Sequence, residues 1–200
     1  PRSDGRGHNR ANLEAAQRLL GEAGWKVVDG QLQNLAGASF TFEILLANPT
    51  NLRVSQQFSR DLSRLGIKAE VRQIDSAQYI ERQATYDYDM LIYFWGQSLS
   101  PGNEQSFYWG ADSAEQHGTR NYMGVSDPLI DKIISKITAA RAREDLVVAT
   151  HALDRVLRTG DYVIPLYHLS ADRIAYWDRF GMPEVIPTAG YAIETWWADN

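Results

Sequence analysis

The side chains that could move a proton or hold a ligand crowd into one stretch, residues 88–122. Glu104, Asp112, Glu115 and His117 lie there, and carboxylates beside an imidazole are the raw material of general acid–base catalysis. Their spacing matches no established catalytic pattern: the sequence holds no GxSxG elbow, no GxGxxG, no P-loop and no HExxH. A hydrolase or transferase lobe using Glu104 and His117 is therefore the second reading of this chain. The histidines, His8, His117, His151 and His168, lack metal-ligand spacing, and with no cysteine there is no thiolate ligand, disulfide or thiol nucleophile. The sequence asks for no catalytic residue, no metal and no cofactor.

The same stretch is better equipped to bind. The run from Gly96 to Gln105, GQSLSPGNEQ, is rich in amides, hydroxyls and backbone groups that donate and accept hydrogen bonds without fixing a net charge. Gln97, Ser98, Leu99 and Asn103 would line a cradle suited to a peptide backbone or a sugar. Trp95 stands at its entrance, as a rigid face for a ligand or as a core tryptophan. Arg120-Asn121-Tyr122 follows shortly after. Asn121 could bond a ligand or cap a turn, and Arg120 could meet a carboxylate or phosphate through its planar fork or simply face solvent.

These residues need a frame. Met90 to Trp95 is an unbroken apolar run, too short for a helix and without alternation, as in a strand over 88–95 covered on both faces. About two dozen residues without helical or strand period follow, and a structured aromatic loop at the carboxyl end of a parallel strand is where open α/β sheets bind ligands. Upstream, Leu13, Ala16, Leu20 and Ala23 share one face of a helix over 11–23, and Asp29-Gly30 marks the turn of a hairpin over 25–33. Strands are expected at 40–47 and 67–72, with a helix to 65 between them carrying Val54, Phe58, Leu62 and Leu65 inward. Asp75 with Gln78 reads as the start of a helix to about 83. Strand, helix, strand, helix, strand implies a largely parallel sheet. Downstream, Asp127-Pro128 opens a helix with Ile130, Ile133, Ile134 and Ile137 inward, another helix spans 144–158, and 162–169 reads as a strand interrupted by Pro165. The aromatic remainder reads as a tail that packs on something outside the chain, and the opening PRSDGRGHNR as a linker in a fragment. This divides the chain into a lobe over 1–165 and a tail over 166–200.

Two hundred residues suffice for one sizeable core, and a net charge of −5 without a basic stripe argues against nucleic acid. No apolar run approaches a membrane span.

The segments RANLEAAQRLLGEAGW, FTFEILLAN, LGIKAEVRQID, YDYDMLIYFWG, RNYMGVSDPLIDKII and YVIPLYHLSADRIAYWDRFG together resemble the family 5 extracellular solute-binding proteins, the oligopeptide, dipeptide and nickel receptors of bacterial ABC importers. WGQSLSPGNEQ with RNY looks most like the YejA-type peptide-binding branch. The resemblance covers essentially the whole chain. It implies an α/β lobe of the type II periplasmic-binding fold, a mostly parallel mixed sheet flanked by helices, whose tail returns to a missing N-terminal lobe. It further implies a non-enzymatic receptor outside the cytoplasm, periplasmic or lipid-anchored, that closes on a peptide or peptide-like ligand and delivers it to an ABC permease in the inner membrane. Many peptide-binding relatives carry an aspartate three residues after the tryptophan to hold the peptide's amino group; here that position is Ser98. Blocked or cyclic peptides, glycopeptides or an anchor elsewhere are the alternatives. A ligand sensor or chaperone-like interaction protein is a third class.

Overall fold

The structure, a computed structural model, describes residue 7 and residues 10–167, 169–171, 173–188 and 190–198. The predicted linker over 1–10 and the position of His168 lie largely or wholly outside the described residues.

Contacts divide the chain into two compact units: one runs up to Trp95 and takes in Glu115–Tyr122, the other comprises Gly96–Ala114 and the chain from Met123 onward. In the first unit, helix α1 (Arg10–Glu22) ends where Trp25 N–H bonds to Leu20 O and Gly24 N–H to Gly21 O, the paired bonds of a Schellman stop. Leu13, Ala16 and Leu20 are half-buried, so the amphipathic stripe is present, though no residue of α1 is fully enclosed. Strands β1 (Lys26–Val28) and β2 (Gln31–Gln33) form the expected hairpin. Asp29 and Gly30 both have positive φ, 50° and 79°, as a two-residue turn matching strand twist requires.

The sheet is built from β3 (Thr41–Leu46), β4 (Lys68–Gln73) and β5 (Met90–Leu91), all parallel, with β3 in the middle. Its central place explains why Ile44, Leu45 and Leu46 are all buried and strict alternation is lost. A strand covered on both faces has no polar side. Helix α2 (Leu52–Ser63) packs Leu52, Phe58 and Leu62 against Ile44, Leu46 and Ala69, beside Val71, Met90 and Ile92. Helix α3 (Ser76–Ala84) starts as its sequence requires, with the Asp75 carboxylate accepting from the N–H groups of Ala77 and Gln78. Arg82 then ties the approach to β5 together: it bridges Glu43 on β3 and Asp87 at 2.8 Å each, and Asp89 accepts from the Glu43 N–H at 2.8 Å.

The last strand is shorter and more open than its sequence suggests. β5 pairs only at Ile44–Met90 and Leu45–Leu91. Its partner β3 stops at Leu46, because Asn48-Pro49 opens the turn into α2, so residues beyond Leu91 have little to pair with. Tyr93 and Trp95 are half-buried, and Phe94 is 82% exposed.

In the second unit, the stretch expected to lack periodic structure contains helix α4 (Glu104–Trp109) and a 3₁₀ turn at Ala111–Ser113. α4 is too short to display a period, but it buries Gln105, Tyr108 and Trp109. Helices α5 (Pro128–Ala139) and α6 (Arg143–Thr159) pack against each other along apolar stripes, burying Ile130, Ile134 and Ile137 on one and Ala149 and Leu153 on the other. Asp127 caps α5 through Leu129 N–H, with Pro128 in the first turn. The predicted strand over 162–169 is not formed among the described residues: Val163, Ile164, Leu166, Tyr167 and Leu169 are exposed, and neither side of this extended segment finds a ladder partner. Further on, β6 (Phe180–Gly181) and β7 (Trp197–Ala198) pair antiparallel, and Trp196 meets Tyr176 edge-on at 5.0 Å, so part of the tail packs on itself. Among the described residues no helix is long and apolar enough to cross a membrane.

Candidate functional site

The residues singled out from sequence fall in both compact units. Trp95, Arg120, Asn121 and Tyr122 belong to the first; Gln97, Ser98, Leu99 and Asn103 belong to the second.

In the first unit, the segment 116–122 is seated on aromatic side chains that leave α3 and β5. The Trp95 indole N–H donates to the Arg120 carbonyl at 3.1 Å, and the Tyr88 hydroxyl donates to the Tyr122 carbonyl at 3.0 Å. Tyr122 meets Tyr93 edge-on at 4.6 Å between centroids, with Trp95 at 6.3 Å. Burial pushes the Tyr88 hydroxyl well above the ordinary tyrosine range; burial does the same to Tyr122, reinforced by hydrogen bonding to Tyr93. Both rings are therefore neutral at any physiological pH, and the cluster offers faces and O–H groups rather than charge. Trp95 has committed its one donor to Arg120, so what it can present to a ligand is its π-face. Arg120 is exposed; Asn121 has no exposed surface at all. The amide of Asn121 is thus enclosed by protein in this conformation, which fits the turn-holding role weighed from sequence better than a ligand-bonding one.

In the second unit, the amide-rich stretch is knitted to itself. Gln105, 4% exposed, donates to Gln97 Oε1 at 2.8 Å and to Glu104 Oε1 at 3.2 Å. Glu104 Oε1 also accepts from Gly102 N–H at 2.9 Å, and the Tyr108 hydroxyl donates to the Gly96 carbonyl at 3.2 Å. Ser98 donates its hydroxyl proton to Ser100 O at 2.8 Å and accepts from Ser100 N–H at 3.1 Å, a closed local turn. Leu99, 67% exposed, and Asn103 stand outward from this frame. Burial alone would raise the Glu104 carboxyl, but the Gly102 N–H, its own N–H and the Gln105 amide hold it below the usual glutamate range. Glu104 is therefore an ionised structural acceptor at neutral pH. Gln105, which closes the amide-rich run read from the sequence, is the residue that organises it, a role its type alone did not reveal.

A groove of about 330 Å³ between α4 and α5 is lined by Ser106, Gly110, Asp112, Asp131 and Ser135, among others; Asp112 of the acid–base set lines it, and none of the predicted ligand-binding residues does. There the Asp131 carboxylate accepts from Ala111 N–H at 3.0 Å. Of the acid–base set, Glu104 and Asp112 sit in one unit and Glu115 and His117 in the other. Among the described residues no group of three or more His, Asp or Glu side chains could hold a metal ion.

A parallel sheet with flanking helices is the architecture of a lobe of the periplasmic-binding fold. Its architecture matches that of the oligopeptide-binding protein AppA of Bacillus subtilis, solved in complex with a nonapeptide, with a TM-score of 0.69 at 18% identity over 94% of this chain and 37% of that one. The chain belongs to the bacterial extracellular solute-binding proteins, family 5, whose model, described as the family's "Middle", matches residues 2–118. A protein of Brucella suis biovar 1 named as a binding protein is 45% identical over 98% of this chain and 32% of its own length. The peptidoglycan-binding protein YepA of Agrobacterium fabrum is 38% identical over 98% of this chain and 32% of its own length. YejA of Escherichia coli K12 is 37% identical over 100% of this chain and 33% of its own length. The expected family and branch are thus met, and the chain spans about a third of the length of these curated relatives.

Proposed function

We propose that this chain is the ligand-binding lobe of a hinged receptor that captures peptides or peptide-like compounds and presents them to an ABC permease in the inner membrane. Residues 1–165 form the lobe, and 166–200 return toward a second lobe outside this chain. The receptor works outside the cytoplasm, in the periplasm or tethered to the membrane by lipid, and performs no catalysis. The observation that carries this reading is the family match over 2–118, which ends within the very loop that bears the candidate site. The cargo follows from relatives: AppA was solved with a nonapeptide, and YepA is named for binding peptidoglycan, a polymer with peptide stems.

The candidates for ligand contact, taken unit by unit, are the Trp95 face, Arg120 and Tyr122 in the first and Gln97, Leu99 and Asn103 in the second. Ser98 and Asn121 support the loops that carry them, since the Ser98 hydroxyl is closed onto Ser100 and Asn121 is enclosed. Ser98 offers no carboxylate where many peptide-binding relatives carry one, so backbone contacts or the Arg120 cation take a larger share of recognition. Closure follows from contacts made only in the closed form, because a ligand with equal affinity for both forms shifts nothing. The enzymatic alternative gains little support, because Glu104 Oε1 is engaged by Gly102 N–H and the Gln105 amide, and Glu104 and His117 belong to different compact units.

Half a cleft binds poorly. Calorimetry with tri- to pentapeptides is expected to give no saturable binding to this chain alone in the sub-micromolar range, while the full-length parent binds. Sub-micromolar saturation by the isolated chain would overturn the two-lobed reading.

A further inference from the structure

The segment 116–122 has no strand partner, yet it is held at defined points, and aromatic side chains do much of the holding. Three of its backbone carbonyls accept from such groups: Gln116 O from the Tyr86 hydroxyl at 3.1 Å, Arg120 O from the Trp95 indole at 3.1 Å and Tyr122 O from the Tyr88 hydroxyl at 3.0 Å. The Tyr86 hydroxyl, having donated to Gln116, can accept from Thr119 Oγ1, with which it is also in contact, and Thr119 is buried. A backbone bond from Gly118 N–H to Ala84 O, at 3.0 Å, sits in the middle of the segment. Tyr86 itself has φ of +57°, a left-handed conformation that a bulky residue adopts only where its surroundings over-determine it. That conformation places two tyrosines, separated by one residue, so that their hydroxyls reach opposite ends of the same segment.

We propose that Tyr86, Tyr88 and the Trp95 indole N–H act together as positioning residues, a side-chain clamp that fixes segment 116–122 and thereby sets where Arg120 and Tyr122 stand. Tyr86 and Tyr88 lie outside the ligand contacts assigned above. They act through the loop: the Tyr86 ring also lies beside Tyr122, 6.5 Å between centroids, so losing a hydroxyl removes one tether without emptying the cluster. The clamp bonds come from side chains on neighbouring segments rather than from a strand ladder, which makes loop placement sensitive to the individual hydroxyls. The clamp is a claim about loop 116–122; its consequence for binding rests on the receptor reading above.

The test uses the full-length parent with Tyr86→Phe, Tyr88→Phe and the double variant, which keep the rings and remove only the hydroxyls. Hydrogen exchange followed by mass spectrometry is expected to show amides of 116–122 exchanging about five- to tenfold faster in each single variant, with α5 and α6 unchanged. Unchanged exchange in 116–122 overturns the clamp, as does an equal acceleration throughout the chain, which marks general destabilisation. In parallel, an equimolar pool of tri- to pentapeptides is offered to each protein and the bound fraction read by native mass spectrometry. A weaker bound fraction in the loosened variants supports the link to Arg120 and Tyr122, and an undiminished one overturns that link. If the unmodified parent takes up no peptide, the peptide reading fails, while the exchange measurement still decides the clamp.

Discussion

Replacing Gly66 with alanine should lower the melting temperature of this chain by about 6–12 °C, the effect of roughly 3 kcal/mol on a chain of this size. Gly66 follows α2 with φ of +80°, where a side chain alone costs about 1–2 kcal/mol. The larger cost is steric. A Cβ at this position would stand 2.8 Å from Leu32 N, 3.1 Å from the Gln31 carbonyl carbon and 3.2 Å from Gly30 O. All three are backbone atoms of the hairpin, so no side chain can swing aside; overpacking of this kind costs about 1–3 kcal/mol. The hairpin cannot simply retreat, because Leu32 N–H donates to Gly66 O at 2.8 Å and Leu32 is 2% exposed. Moving it would also part Trp25 from Phe40, which stack at 4.8 Å. Thermal unfolding followed by circular dichroism checks this, and a melting temperature within a degree of the unmodified chain would show that the hairpin is not seated on Gly66.

The second large effect is on binding. Trp95→Ala in the full-length parent should weaken peptide affinity about 10–100-fold, the range of a central aromatic contact. Two losses coincide. The ligand loses the indole face, and Arg120 O loses the N–H that tethers it at 3.1 Å. Trp95→Phe keeps a face and removes the tether, and is expected to fall between the two, at about fivefold. Calorimetry with the most abundant peptide released from the purified parent measures both variants. Unaltered affinity in Trp95→Ala would place this ring outside the site.

Long elements with a clear period were legible in the sequence, and so was the parallel character of the sheet. α2, α5 and α6 carry their apolar stripes at helical spacing, and Asp75 and Asp127 cap the helices they precede. What sequence could not supply was the partner. The run over 88–95 reads as a long strand, but its pairing with β3 ends at Leu45–Leu91, next to the end of β3 at Leu46. Likewise Val163, Ile164 and Leu166 have strand-like chemistry and no neighbouring strand among the described residues. α4 went unseen because six residues do not make a period. For the site, residue types were readable and commitments were not. Glutamine, serine and tryptophan each suggest hydrogen bonds to a ligand, yet Gln97, Ser98 and Trp95 have already given an acceptor, a hydroxyl and a donor to their own loops. Tyr88 read as the first residue of a strand and Tyr86 went unremarked, yet their hydroxyls reach carbonyls 34 and 30 residues further on.

The central claim, that the parent of this chain is a receptor for peptides or peptide-like compounds, is met most directly by native mass spectrometry of the purified full-length protein before and after denaturation. The account predicts a set of bound masses released on unfolding, resolving into short peptides or peptide-bearing wall fragments. Release of a single mass with no peptide bond would contradict the cargo, and turnover of an offered peptide to cleaved products would contradict the receptor itself.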